Sequence, residues 1–187
     1  MAGAVKVYIT PAPGTPLSGP VGGGGKVGTI HDPLYARAMA IQSGKTQVVL
    51  VVCDVTMIAS ELHDRIREEV HEQIGLPKSH LLVSTTHTHR APRAVELKLG
   101  PAHDRYREAL VDLVATAAID ALTNLEPARI GWGSVEKPEH CRNRRWLMKP
   151  GSLGPDPFGE RTDKAAMYGG PGKNGIRTVG PVDPEFF

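Results

Sequence analysis

His87 and His89 are the residues whose types and spacing point most directly to chemistry. In extended backbone an i, i+2 pair projects to one face, with attachment points roughly 6–7 Å apart. Such a pair holds a metal, or one ring binds a metal while the other contacts a substrate. Neutral imidazole is the commonest metal ligand and suits zinc. The bland alternative is a solvated loop histidine beside one that caps a turn. Zinc takes about four ligands, and the chain contains neither an HExxH nor a CxxC motif. Asp54 either orients a histidine from behind or is an ordinary turn residue at a strand end. Arg142, Arg144 and Arg145, with Asn143 among them, either clamp an anion and stabilise an oxyanion or form a solvated basic face. Cys53 lies inside an apolar run and reads as a small buried hydrophobe rather than a nucleophile. His31, in His-Asp-Pro, reads as a turn residue, and His63 and His71 fall on the polar side of a helix.

Positioning these groups requires strands and helices in alternation. Residues 5–9 alternate apolar and polar and stop at Pro11. Residues 35–41 alternate again, a Ser43-Gly44-Lys45 turn follows, and 47–53 is a β-branched apolar run, so 35–53 reads as a hairpin. The run 48–53 has no polar face and predicts a central strand covered on both sides. From Ser60 the period changes. Leu62, Ile66, Val70 and Ile74 recur every four residues, Ser60 is placed to cap the first turn, and Gly75 and Pro77 end the helix. Residues 80–85 read as a strand, 106–122 as a second helix that His103 opens, and 128–135 as a last strand. The strand–helix–strand order predicts an α/β class with a mixed, mostly parallel sheet and helices packed on it. Ligands of such sheets sit outside the carboxyl ends of strands, which is where Asp54 and the run Thr85-Thr86-His87-Thr88-His89 fall.

The 187 residues suffice for one principal core. Formal net charge is +2, which excludes a nucleic-acid binder working by bulk charge. No apolar run approaches the ~20 residues of a transmembrane helix, and two cysteines make neither a disulfide scaffold nor a four-thiolate site. The 21 glycines and 16 prolines concentrate in two blocks. Gly22 to Gly25 predicts a surface loop, and 150–187 reads as an extended, truncated segment following an ordered domain over 1–149. Met1 leads straight into a strand pattern, so no signal peptide is expected in this chain.

Six segments together resemble the neutral/alkaline ceramidase family of secreted zinc amidases. They are VYITP at 7–11, GTIHDPLYARA at 28–38, VVCD at 51–54, STTHTH at 84–89, NRR at 143–145 and GPVDPE at 180–185, in the family's order. The resemblance covers the amino-terminal part of a longer catalytic domain and so implies an incomplete one. It implies that His87 ligates zinc, that His89 lines the active site, and that Arg144, or Arg145, contacts the reacting end of the substrate. The other ligands it implies, a second His, a Glu and a Tyr, lie beyond this chain. It further implies hydrolysis of the N-acyl amide of a sphingolipid-like substrate by metal-activated water, and a secreted or extracytoplasmic setting. A homo-oligomer or a complementary chain is expected as partner. Where the family carries a small residue after HTH, often as HTHSGP, this chain has Arg90-Ala91-Pro92. The competing reading is a non-catalytic, truncated homologue that binds a lipid, a metal or a partner chain.

Overall fold

The computed structural model describes residues 1–19, 25–92, 94–95, 104–167 and 175–186. Gly22 to Gly24 of the glycine run, and His103, lie outside the described residues. The chain divides into two compact units, Met1–Arg129 and Ile130–Phe187.

In the first unit β1 (Ala2–Tyr8), β2 (Tyr35–Ser43), β3 (Thr46–Cys53) and β4 (Leu81–Thr85) form one sheet in the order β1-β2-β3-β4. The class is α/β with a mixed sheet, as the alternation of periods predicts. Its balance differs from the mostly parallel expectation. β1–β2 and β2–β3 are antiparallel, and β3–β4 alone is parallel. The cause is local: a two-residue turn at Gly44 returns the chain as a hairpin, and only the helical connection between β3 and β4 makes a crossover.

Helices α1 (Ser60–Ile74) and α2 (Asp104–Thr123) cover one face. That face is built from Ala36, Ala38 and Ala40 of β2, Val49, Val51 and Cys53 of β3, and Leu81 and Val83 of β4, all buried. Against it pack Leu62, Ile66 and Val70 of α1 and an alanine-rich side of α2 that includes Ala117, Ala118 and Ala121. Small residues on both surfaces bring α2 close to the sheet. The limit is at Gly3, where an added Cβ would stand 2.1 Å from the Ala121 carbonyl oxygen. Reciprocal backbone bonds of 2.9 Å between Ala2 and Glu126 hold that approach.

Among the described residues of this unit, no second layer covers the opposite face of β3, which the sequence pattern predicts to be covered on both sides. Met39, Val52 and Leu82 are exposed, because α1 and α2 both lie on the other face. Ser60 is the first helical residue of α1 rather than its cap; the cap position is Ala59, without a side-chain bond. The other end follows the expectation, with Gly75 left-handed at φ 71° and its N–H donating to the His71 carbonyl at 2.8 Å.

The second unit has two small antiparallel sheets. β5 (Val135–Glu136) pairs with β9 (Glu185–Phe186), and β6 (Arg145–Met148) lies between β7 (Ala165–Met167) and β8 (Ile176–Val179). The strand expected over 128–135 is reduced to β5. Gly131 and Gly133 interrupt it, and Ile130 and Trp132 are solvent-exposed, so no packing surface supports a longer strand. Segment 150–187 supplies β7, β8 and β9, because its extended chain finds a partner in β6 or β5.

Candidate functional site

The parallel pairing of β3 and β4 ends with Cys53 opposite Thr85. The two chains leaving it, 54–56 and 86–89, therefore run side by side at the carboxyl end of the sheet, and a compact set of bonds joins them. Thr86 N–H donates to the Cys53 carbonyl at 3.0 Å. The Thr85 hydroxyl donates to the Thr56 carbonyl at 3.2 Å, and the Thr56 hydroxyl donates to the Thr88 carbonyl at 2.6 Å. His87 Nδ1 lies 2.8 Å from the same Thr56 carbonyl. Thr56 is 4% exposed and touches both sides of the motif. Sequence reading missed it, since a threonine three residues past a strand end carries no signal of its own.

The carbonyl can only accept, so Nδ1 of His87 carries the proton and Nε2 of the neutral ring is left with its lone pair outward. A backbone carbonyl behind Nδ1 is the arrangement that orients ligating histidines. His87 also has φ 58°, the one non-glycine residue with positive φ among those described. This changes the extended i, i+2 geometry expected from spacing. The strand ends at Thr85, the backbone turns at His87, and the rings of His87 and His89 meet edge to face with centroids 5.1 Å apart. Both histidines are exposed.

Asp54 takes the ordinary of its two roles. Its Oδ2 accepts from Tyr35 N–H at 3.0 Å and from Arg37 Nη1 at 2.6 Å, so it latches the end of β3 to β2 instead of orienting a histidine. Burial, reinforced by the neighbouring Asp54 charge, pushes the Cys53 thiol up to about 12, which removes it as a nucleophile near neutrality. His31 is exposed and bonds Asp32 at 3.1 Å. His71 donates through Nδ1 to the Leu76 carbonyl at 3.0 Å and belongs to the helix end.

Arg144 lies in the second unit, just before β6. The Asn143 side chain accepts from Arg145 N–H at 2.8 Å and donates to the Pro181 carbonyl at 2.6 Å. Arg142 spends its Nη1 on the Cys141 and Pro138 carbonyls. Arg142, Arg144, Arg145 and Asp183 share the lining of a cavity of about 420 Å³. The residues expected to act thus occur as a joined pair, His87 and His89, in one unit and as Arg144 in the other.

Zinc, which the resemblance implies, is fitted here in part. His87 has the donor chemistry of one ligand. Among the described residues no three or more His, Cys, Asp or Glu side chains gather around a common point, so the remaining ligands are not in this set.

Residues 23–148, about two thirds of the chain, match the family model described as neutral/alkaline non-lysosomal ceramidase, N-terminal. A crystal structure of neutral ceramidase from Pseudomonas aeruginosa is similar at a TM-score of 0.66 and 24% identity, covering 83% of this chain and 28% of that one. A ceramidase complexed with C2 is similar at a TM-score of 0.66 and 24% identity, covering 76% of this chain and 24% of that one. No curated protein matches the chain. The chain therefore spans about a quarter of the length of the solved structures it resembles, and by the match over 23–148 it belongs to the neutral/alkaline non-lysosomal ceramidase family.

Proposed function

We propose that the chain forms part of a zinc-dependent amidohydrolase that cleaves the N-acyl amide bond of a sphingolipid-like substrate. The observation that supports the reading is the Thr56 carbonyl 2.8 Å from Nδ1 of His87, a contact that would leave Nε2 as the donor atom for a metal, in a chain of this family. Zinc held with His87 as one of its ligands would supply a Lewis acid for the amide carbonyl and would lower the pKa of a water to about 7. In the overall reaction the C–N bond breaks, the water oxygen joins the acyl carbon, and the amine leaves with a proton, giving a carboxylic acid and an amine. His89, beside His87, is the group proposed to hydrogen-bond the reacting centre. Arg144 is proposed to hold the reacting end of the substrate, as the family resemblance implies. One well-placed donor to a developing oxyanion is worth about 3 kcal/mol. The remaining ligands are assigned to the larger part of the catalytic unit.

Zinc titration of the purified chain by calorimetry tests the assignment. With most ligands replaced by water, affinity of about micromolar at best is expected. His87→Ala should abolish it and His63→Ala should leave it unchanged. Binding that survives His87→Ala moves the site elsewhere and defeats the reading. A non-catalytic binding module is the second reading, favoured by the lack of a three-ligand cluster among the described residues. Fatty-acid release from a short-chain N-acylsphingosine with zinc present, abolished by His87→Ala, separates the two.

A further inference from the structure

Beside the HTH turn the first unit holds a cavity of about 560 Å³ that the histidine chemistry does not use. Thr88 and Arg90 line it from one stretch of chain and Lys26 from another, together with the apolar Leu17 and Val27. Both stretches are held by backbone. Gly19 N–H donates to the His89 carbonyl at 3.0 Å and Ser18 N–H to the Ala91 carbonyl at 2.8 Å, on either side of Arg90. In the other stretch Leu17 N–H donates to the Gly25 carbonyl and Val27 N–H to the Thr15 carbonyl, at 2.9 and 2.8 Å, on either side of Lys26. Asp32, also in the lining, has its carboxylate against His31. Neither Lys26 nor Arg90 has a carboxylate partner among the described residues. The cavity thus joins an apolar surface to two cations without a carboxylate contact among the described residues, with Asp32 as the one acidic residue of the described lining, immediately next to the residues proposed to act on an amide.

From this we infer that the cavity selects an anionic amphiphile: an N-acyl amide whose far end carries a carboxylate, seated between Arg90 and Lys26. The inference rests on the amidohydrolase reading for the word amide, and on the cavity alone for the anion. Guanidinium binds carboxylate through a two-pronged, charge-assisted contact, and ammonium adds a point charge. A carboxylate should therefore gain about tenfold or more in affinity over a neutral group of the same size.

The test uses two probes on the full chain without added metal, N-hexanoylglycine and N-hexanoylethanolamine, titrated by NMR. The carboxylate compound is expected to bind about tenfold more tightly. Arg90→Gln and Lys26→Gln should each bring it towards the ethanolamide, Arg90→Lys should retain part of the preference, and added salt should narrow it. Arg90 and Lys26 are exposed, and the amide spectrum of each variant reports that the fold is kept. Equal binding of the two probes, or a preference that survives Arg90→Gln, overturns the inference. His87→Ala separates the two proposals. Arg90-dependent binding that persists in His87→Ala establishes the anion site whatever becomes of the hydrolase reading. Zinc-dependent cleavage of the ethanolamide alone, with no carboxylate preference in binding, keeps the hydrolase and removes the anion site.

Discussion

His87 sits at φ 58°, a left-handed conformation that costs an L-residue roughly 1–2 kcal/mol, and glycine enters it freely. Two substitutions isolate that cost. His87→Ala loses the bond to the Thr56 carbonyl and keeps the strain. His87→Gly loses the same bond and releases the strain. The lost bond, about 1 kcal/mol net and less at an exposed position, is common to both and cancels. What remains is the strain minus the extra unfolded-chain entropy of glycine, about 0.5–1 kcal/mol. The glycine variant should therefore be the more stable of the two by about 0.5–1 kcal/mol, a shift of roughly 1–4 °C in Tm for a chain of this size. The sign is diagnostic, because in strands or helices glycine is worse than alanine by a similar amount. Urea unfolding followed by far-UV circular dichroism reads the difference. The same pair at His89, whose φ is not positive, is the control and should favour alanine. Alanine equal to or better than glycine at position 87 would refute the claim that the motif holds its histidine at a cost.

Three further outcomes follow from named contacts. Thr56→Val removes the hydroxyl donor to the Thr88 carbonyl but keeps the backbone carbonyl behind His87 Nδ1, so it should cost about 1 kcal/mol in urea unfolding while nitrogen NMR still shows the proton on Nδ1; unchanged stability would remove the hydroxyl from the account. Gly3→Ala places a Cβ against α2 backbone and should cost about 1–3 kcal/mol, whereas Gly28→Ala, with open space around it, should be close to neutral in the same urea titration. Burial raises the Cys53 thiol to about 12 and drives the Tyr106 hydroxyl upward too, so the folded state keeps protons that the unfolded chain surrenders. The Cys53 contribution is whole below about pH 9 and is lost as pH rises towards 12. Cys53→Ala should flatten alkaline unfolding by up to about 1.4 kcal/mol per pH unit, and an unaltered alkaline limb in that variant would contradict the assignment.

Period is what made the fold legible. Alternation in 35–41, the Ser43-Gly44-Lys45 turn and the apolar run 47–53 marked a hairpin, and the four-residue recurrence marked α1, with Leu62, Ile66 and Val70 buried as read. Period does not say which neighbour a strand finds, so the share of parallel pairing was overread and the second cover on β3 was assumed. It failed over 128–135 because a few apolar residues between glycines have the pattern of a strand without a surface to pack on. At the site, His87 and His89 were visible as residue types. The left-handed backbone at His87 was not, since no glycine or asparagine announces it. Thr56 was invisible for a related reason: its contribution is a backbone carbonyl and a hydroxyl aimed by the crossover, and only tertiary pairing brings residue 56 beside residue 88.

That pairing explains why the chemistry gathers at one end of the sheet. A hairpin joins β2 to β3 at Gly44, and a turn this tight leaves no chain to carry side chains outward. At the other end the parallel pair β3–β4 stops, and two chains emerge together from strands whose inward residues, Cys53 and Val83, are buried beneath the helices. Thr86 N–H is fixed to the Cys53 carbonyl and His87 Nδ1 to the Thr56 carbonyl, so the orientation of the ring is inherited from the core two to three residues away. Strain at His87 persists because the surrounding bonds over-determine the turn. A ring held this way loses little freedom when it engages a partner. The same rigidity extends through the His89 and Ala91 carbonyls, bonded to Gly19 and Ser18, to the backbone that carries Arg90. The histidine pair and the cationic cavity wall are therefore set by one continuous ladder, and a substrate spanning both would meet a preformed surface.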